Sequence, residues 1–139
     1  MSAVRETIFA AIETALAAGT DAEEIERMPS GDPMKFNALH IMDDGQGMME
    51  GEAGATRYDM AISIEGYVEG SGGSAMHTRL NTLHADTVRS VIGLIPSLTV
   101  IEDIEEGDLR VAVAPLASAR RLAFSQDFKI TFATRRGQP

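Results

Sequence analysis

Cysteine is absent from the 139 residues. That excludes disulfides, thiolate metal sites and a cysteine nucleophile, and it suits a reducing compartment. Tryptophan is absent too, and aromatics make up only 5% of the chain. The core is therefore expected to come from Ile, Leu, Val, Met and Ala. No apolar run approaches the roughly 20 residues needed to span a bilayer. Met1-Ser2-Ala3-Val4-Arg5-Glu6 lacks the charged-then-apolar layout of a secretion signal, so the expectation is a protein kept in the cytoplasm or released with a particle by lysis. Positive charge is scarce: 12 basic residues face 21 acidic ones, a net charge of −9. This balance argues against broad nucleic-acid binding, because phosphate contacts require a positive surface.

The length suits one domain, 1–139, with a sizeable core. Eight Met residues supply adaptable packing for that core or for contact surfaces. Acidic residues gather at 21–26, 43–52 and 102–108, whereas basic pairs stand at Arg120-Arg121 and Arg135-Arg136. In a monomer this is a solvated acidic surface with a basic edge. In a ring it could match one subunit's basic edge to its neighbour's acidic loops.

The clearest pattern is at the end of the chain. Leu122, Phe124, Phe128, Ile130 and Phe132 share one parity, broken only by Gln126, while polar residues and alanines fill the other. Alternation of this kind predicts a long strand with one buried face. The strand runs into Arg135-Arg136-Gly137-Gln138-Pro139, which cannot extend a ladder well. Tyr58, Met60, Ile62, Ile64, Gly66 and Val68 form a second such parity. Helical spacing predicts helices over 2–18, capped by Ser2 and stopped by Gly19, and over 75–92, capped by Ser74 and ended by Gly93 and Pro96. Residues 24–28 fit a short strand or a helical turn equally. Residues 38–42 read as a strand ending at Asp43-Asp44-Gly45, and 46–54 as a mobile glycine-containing loop. Residues 98–104 read as a strand, Glu105-Glu106-Gly107-Asp108 as a hairpin turn, Leu109, Val111 and Val113 as the returning strand, and 115–119 as a connection. The economical packing is α+β: a two-layer domain, a mainly antiparallel sheet with two helices on one face.

Templates for chemistry fail one by one. His77 and His84 are seven residues apart on one helix, about 10.5 Å of rise, too far to share a metal, and read as surface histidines. The Asp43 to Gly47 stretch lacks the alternating oxygen ligands of a calcium loop. The carboxylates of 102–108 suit a solvated turn. Gly70-Ser71-Gly72-Gly73-Ser74 links strand to helix, but Ala75-Met76-His77 follows where a phosphate loop needs Lys then Ser or Thr. No catalytic, cofactor-binding or metal-ligating residue is assigned, and no cofactor is expected.

In order, these elements resemble the tail terminator, or tail completion, proteins of long-tailed bacteriophages and related gene transfer particles. The resemblance is carried by Arg27-Met28-Pro29-Ser30 before a proline-containing loop, by Gly66-Tyr67-Val68-Glu69-Gly70, and by Leu80-Asn81-Thr82-Leu83-His84-Ala85-Asp86. Its strongest part is the close, Phe128-Lys129-Ile130-Thr131-Phe132-Ala133-Thr134-Arg135-Arg136-Gly137-Gln138-Pro139. The resemblance implies a small α+β fold and a non-enzymatic virion protein. It implies a homo-oligomeric ring, typically hexameric, with the tail tube protein and the head-tail connector or adaptor as partners. It implies residence in the host cytoplasm during assembly and then in the tail neck.

Two interface expectations follow. Arg135 and Arg136 are expected to meet acidic loops of a neighbouring subunit or partner ring, the alternative being arginines solvated on a frayed terminus. Met48 and Met49, with the acidic tip of Glu105, Glu106 and Asp108, are expected to become ordered on assembly, the alternative being a loop that stays disordered. Two other functional readings stand beside the ring. One is a head-tail adaptor or neck protein. The other is a small α+β enzyme or ligand-binding domain with the Gly70 to Ser74 link and His77 lining a pocket.

Overall fold

The computed structural model describes residues 3–115 and 119–139, and its longest pairing joins the two strands whose alternation is clearest in the sequence. β3 (Ala55–Gly70) and β5 (Arg120–Arg135) run antiparallel without a slip, from Ala55 opposite Arg135 to Gly70 opposite Arg120. On one face they bury Met60, Ile62, Ile64, Val68, Phe124, Phe128, Ile130 and Phe132, as their parity predicts. β2 (Ala38–Met49) pairs antiparallel with β3, and β4 (Ile101–Pro115) antiparallel with β5. The short β1 (Glu24–Arg27) joins β2 in parallel, which settles the strand-or-helix alternative for that segment. The sheet order is β1-β2-β3-β5-β4.

The two long helices, α1 (Val4–Gly19) and α2 (Ser74–Ile92), cover the apolar face. The fold is α+β, a mixed but mainly antiparallel sheet under helices. α2 buries Met76, Leu80, Leu83, Thr87 and Val91, the stripe its spacing predicts. α1 buries Ile8, Ile12 and Leu16, and also Phe9, whose ring lies beneath the guanidinium groups of Arg5 and Arg27 at 5.6 and 5.8 Å.

Several expectations are corrected. Ser2 lies outside the described residues, and Ala3 stands at the α1 cap. Ser74 is already helical, Gly73 holds the α2 cap position, and the Ser74 carbonyl accepts from Thr78 Oγ1. Pro96 does not end a helix but lies in a short turn, α3 (Leu94–Ser97), so the following strand begins at Ile101. Of the 115–119 connection, 116–118 lie outside the described residues.

Two larger corrections share one cause. Residues 46–49, expected in a mobile loop, continue β2 and pair with β3 from Gln46 opposite Met60 to Met49 opposite Arg57. The Asp43-Asp44-Gly45 segment is a bulge, not a strand end: Gly45 takes φ 91° and its N–H donates to Asp43 Oδ1 at 2.9 Å. The expected hairpin turn at Glu105 to Asp108 is likewise a bulge inside one continuous β4, between Glu106 opposite Phe128 and Leu109 opposite Gln126. Gly107 is not among the positive-φ glycines, so it does not serve a turn. It serves close approach, since a Cβ there would come within 3.0 Å of Asp127 Cβ. In sequence, glycine within a run of acids signals a turn and a bulge alike.

The break at Gln126 also has a structural reason. Its side chain is 2% exposed on the core face. Its Nε2 donates to the carbonyls of Gly107 at 3.0 Å and Asp127 at 2.9 Å, and its Oε1 lies 2.8 Å from His84 Nε2. The amide thus fastens the β4 bulge from inside, and His84 reaches down from α2 to hold it. His84, expected at the surface, is half-buried, edge-on to Phe124 with ring centres 5.2 Å apart.

The opposite sheet face is polar. Arg57 pairs with Glu102, Lys129 with Glu105, Arg110 with Asp127 and Arg121 with Glu69. The Arg110 hydrogen bonds hold the Asp127 carboxyl below its usual range, and the Glu105 hydrogen bond raises Lys129. Tyr67, on the same face, donates to Glu65 Oε2 at 3.1 Å. Burial, reinforced by the Glu65 charge, pushes its phenol up from 10.0 to about 12.

Two outcomes are expected. Gln126→Ala removes three hydrogen bonds of a buried side chain and should lower stability by about 1–3 kcal/mol in urea unfolding. The fold holds the Tyr67 proton more tightly than the unfolded chain does, so its stabilising effect is complete below pH 10 and is lost as pH rises towards about 12. Thermal melts of Tyr67→Phe should therefore show a shallower alkaline decline than the parent protein.

Candidate assembly interface

The large exposed apolar side chains of the described residues fall at two opposite borders of one sheet. At the β4 border are Leu109, Val111 and Val113, 46%, 55% and 57% exposed. At the β1–β2 border are Met28, Met34, Met48 and Met49, 58%, 88%, 75% and 39% exposed.

The β4 strip arises from the bulges. Between Ile101 and Asp103, and again between Glu106 and Leu109, β4 gains a residue relative to β5, and each gain changes which parity faces the helices. Ile101 and Ile104 are consequently both buried, although they are three residues apart. Beyond the second bulge, Leu109, Val111 and Val113 stand opposite Gln126, Phe124 and Leu122, hence on the core face. α2 leaves that part of the face uncovered. Between the first turn of α2 and the strip is a depression of about 580 Å³, lined by Ser71, Gly72, Gly73, His77, Val111, Val113, Arg120 and Leu122. The glycine link and His77 do line a surface hollow, then, but its wall is the exposed end of the core. The outer edge of β4 has no strand partner among the described residues, so its backbone donors and acceptors are available to another chain.

The β1–β2 border has a different character. β1 pairs only with residues 38–41 of β2, so among the described residues the outer edge of the distal half of β2 has no strand partner. Met48 and Met49 flank that half on opposite sheet faces, since successive strand residues alternate. Methionine suits a surface that must conform to a partner.

The expected contact residues are only partly brought together. Met48 and Met49 share one end of the sheet with Arg135 and Arg136, where the Arg136 N–H donates to the Gly54 carbonyl at 2.9 Å. Both arginines are exposed, and among the described residues neither forms an ion pair. The tail is thus tied to the 50–54 segment and not merely frayed. Glu105, Glu106 and Asp108 lie apart on β4. Glu105 is already engaged, 3.3 Å from Lys129 Nζ, because the two are register partners; Glu106 and Asp108 are exposed. Sequence reading passed over the strip itself. Its signal was present in the Leu109, Val111, Val113 parity, but the acidic run before it suggested a return strand with an ordinary core face.

A depression of about 460 Å³ at the start of α1 contains Arg5 and Arg27. These cations already have carboxylate partners, Arg5 with Asp43 and Arg27 with Glu6 and Glu13, although the buried Arg5 Nε has no hydrogen-bond partner among the described residues. Among the described residues, no helix is long and apolar enough to cross a membrane.

No protein-family model and no curated protein matches this chain.

Val111→Asp and Val113→Asp place a carboxylate on the strip at side chains that are more than half exposed. Each should leave unfolding stability within about 0.5 kcal/mol of the parent protein. If the chain self-associates through this strip, each should abolish that association in sedimentation velocity.

Proposed function

We propose that this protein is a structural subunit of a long-tailed phage or related particle, assembling head to tail into a ring that terminates the tail tube and joins it to the head-side connector. In this reading it carries no catalytic role, and the ring is hexameric, as the resemblance of its closing strand implies. One observation carries the proposal: two exposed apolar borders of unlike composition stand at opposite sides of one sheet. A contact between two different surfaces of the same chain is heterologous, and it closes a ring when its repeated rotation completes a full turn, whereas other rotations give an open filament. An isologous dimer would need only one such border. The branched aliphatic strip of β4 supplies a firm surface, and the methionine border of the next subunit supplies an adaptable one.

The adaptor or neck reading uses the same ring one step nearer the head. The ligand-binding reading draws on the hollow beside His77. That hollow favours a protein partner, because Val111, Val113 and Leu122 form its apolar wall and β4 is the edge strand among the described residues.

Binding to purified tail tubes separates these readings. The terminator proposal expects the protein to sediment with tubes and to stop their elongation; binding to the head connector alone would favour the adaptor, and binding to neither would remove both. Arg135→Glu with Arg136→Glu should abolish tube attachment and leave the melting temperature unchanged, since both side chains are exposed and exposed charges contribute little to stability. Normal capping by that double variant would show that the basic tail takes no part.

A further inference from the structure

The sheet face turned away from the helices contains a group of side chains that none of the preceding interactions requires as a whole. His40, in β2, is 3% exposed, with Tyr67 edge-on at 5.3 Å between ring centres. Its Nε2 lies 2.7 Å from Glu24 Oε2. Glu24 and Glu26 are two residues apart in β1 and so project from the same face, and Glu26 is in register with His40. One ligand atom from each of the three lies within 4.8 Å of the others.

The surroundings of this group are those of a coordination sphere. Glu24 Oε1 accepts the backbone N–H groups of Met34 at 3.0 Å and Lys35 at 3.4 Å. The carboxylate is thereby oriented from behind, and Oε2 is left directed at the imidazole. Outer hydrogen bonds of this kind hold metal-ligating carboxylates in place. The Glu26 side chain is exposed and makes no hydrogen bond or ion pair among the described residues, so it can swing inward and leaves a path for an ion to enter. The neighbouring cation does not compete: Arg27 points to the other face, to Glu6 and Glu13. Two carboxylates thus meet one buried imidazole, with no arginine or lysine paired to either among the described residues.

We infer that Glu24, Glu26 and His40 form a zinc site that fastens the short edge strand β1 to β2. A neutral imidazole and two carboxylates match the N/O donor set of zinc, which in its open sites takes three protein ligands with water in the fourth position. Zinc–ligand bonds of about 2.0–2.2 Å place ligand atoms roughly 3.4 Å apart in a tetrahedron. The His40–Glu24 separation must therefore open slightly to admit the ion between Nε2 and Oε2, and Glu26 closes from solvent. The bland alternative is a plain His40–Glu24 hydrogen bond that pins the 29–37 segment, in which Glu26 has no part. The inference is independent of the assembly proposal.

The difference between these two is Glu26. The full chain, stripped with a chelator and dialysed, is titrated with zinc chloride at neutral pH by calorimetry, with thermal unfolding followed in parallel. The site predicts saturation at one zinc per chain and a melting temperature that climbs with zinc concentration. Glu26→Gln should weaken zinc binding by about tenfold or more, while its zinc-free melting temperature equals that of the parent. His77→Gln, which alters an exposed histidine far from the group, should bind as the parent does. Zinc binding that is absent or unsaturable, or equally tight in Glu26→Gln, overturns the site and leaves only the hydrogen bond.

Discussion

Every residue of β3 faces one of β5 without a slip, and on the helix side that ladder sets Phe124, Phe128, Ile130 and Phe132 against Met60, Ile62, Ile64 and Val68. A shift of one residue would turn one strand's set of these side chains to the opposite face, away from the core. Burying a large apolar side chain contributes about 1.5–3 kcal/mol. The exposed ion pairs on the other face, such as Arg57–Glu102 and Lys129–Glu105, contribute far less, because water screens them. The register is therefore set by the apolar face, and the ion pairs follow it. α2 packs across this pair, β2 and β4 are added at its sides, and β1 is added last.

The outer strands meet the constraint by bulging. β2 gains a residue at Gly45, and β4 gains one near Glu102 and another near Gly107. Each bulge lets an irregular sequence remain on a regular partner. The Gly107 bulge is closed from within by Gln126, itself held by His84, so a polar core residue compensates for an irregularity in the neighbouring strand. The result is that Leu109, Val111 and Val113 of β4 return to the core-face parity and are exposed among the described residues. An exposed apolar edge strand is an invitation to pair, and soluble proteins usually suppress such edges with charge. Here the charges lie at 102–108, while the strip that follows is left bare.

Glu24, His40, Met34 and Lys35 join β1, β2 and the 29–37 segment through directed polar contacts, where the small β1 has little apolar surface of its own to contribute. Burial works to raise the Glu24 pKa, but the hydrogen bonds from His40, Met34 and Lys35 outweigh it and keep the carboxyl below its usual range.

The sequence by itself determined the elements with strong periodicity: α2 with its Met76, Leu80, Leu83, Thr87, Val91 stripe, and the alternating faces of β3 and β5. Local patterns of this kind follow from backbone geometry and are written within a few neighbouring residues. They sufficed for the α+β class and for the helices on one face. The sequence also marked Arg135, Arg136, Met48 and Met49 as surface features, and all four are exposed or partly so at one end of the sheet. Only the tertiary structure decided whether glycine at 45 and 107 turned the chain or bulged it, because that choice depends on a partner strand distant in sequence. For the same reason it alone joined Gln126 to His84 and to Gly107, brought Glu24 and Glu26 to His40, and left Leu109, Val111 and Val113 uncovered: each depends on which residue lies opposite, and register is a property of two strands, not of one.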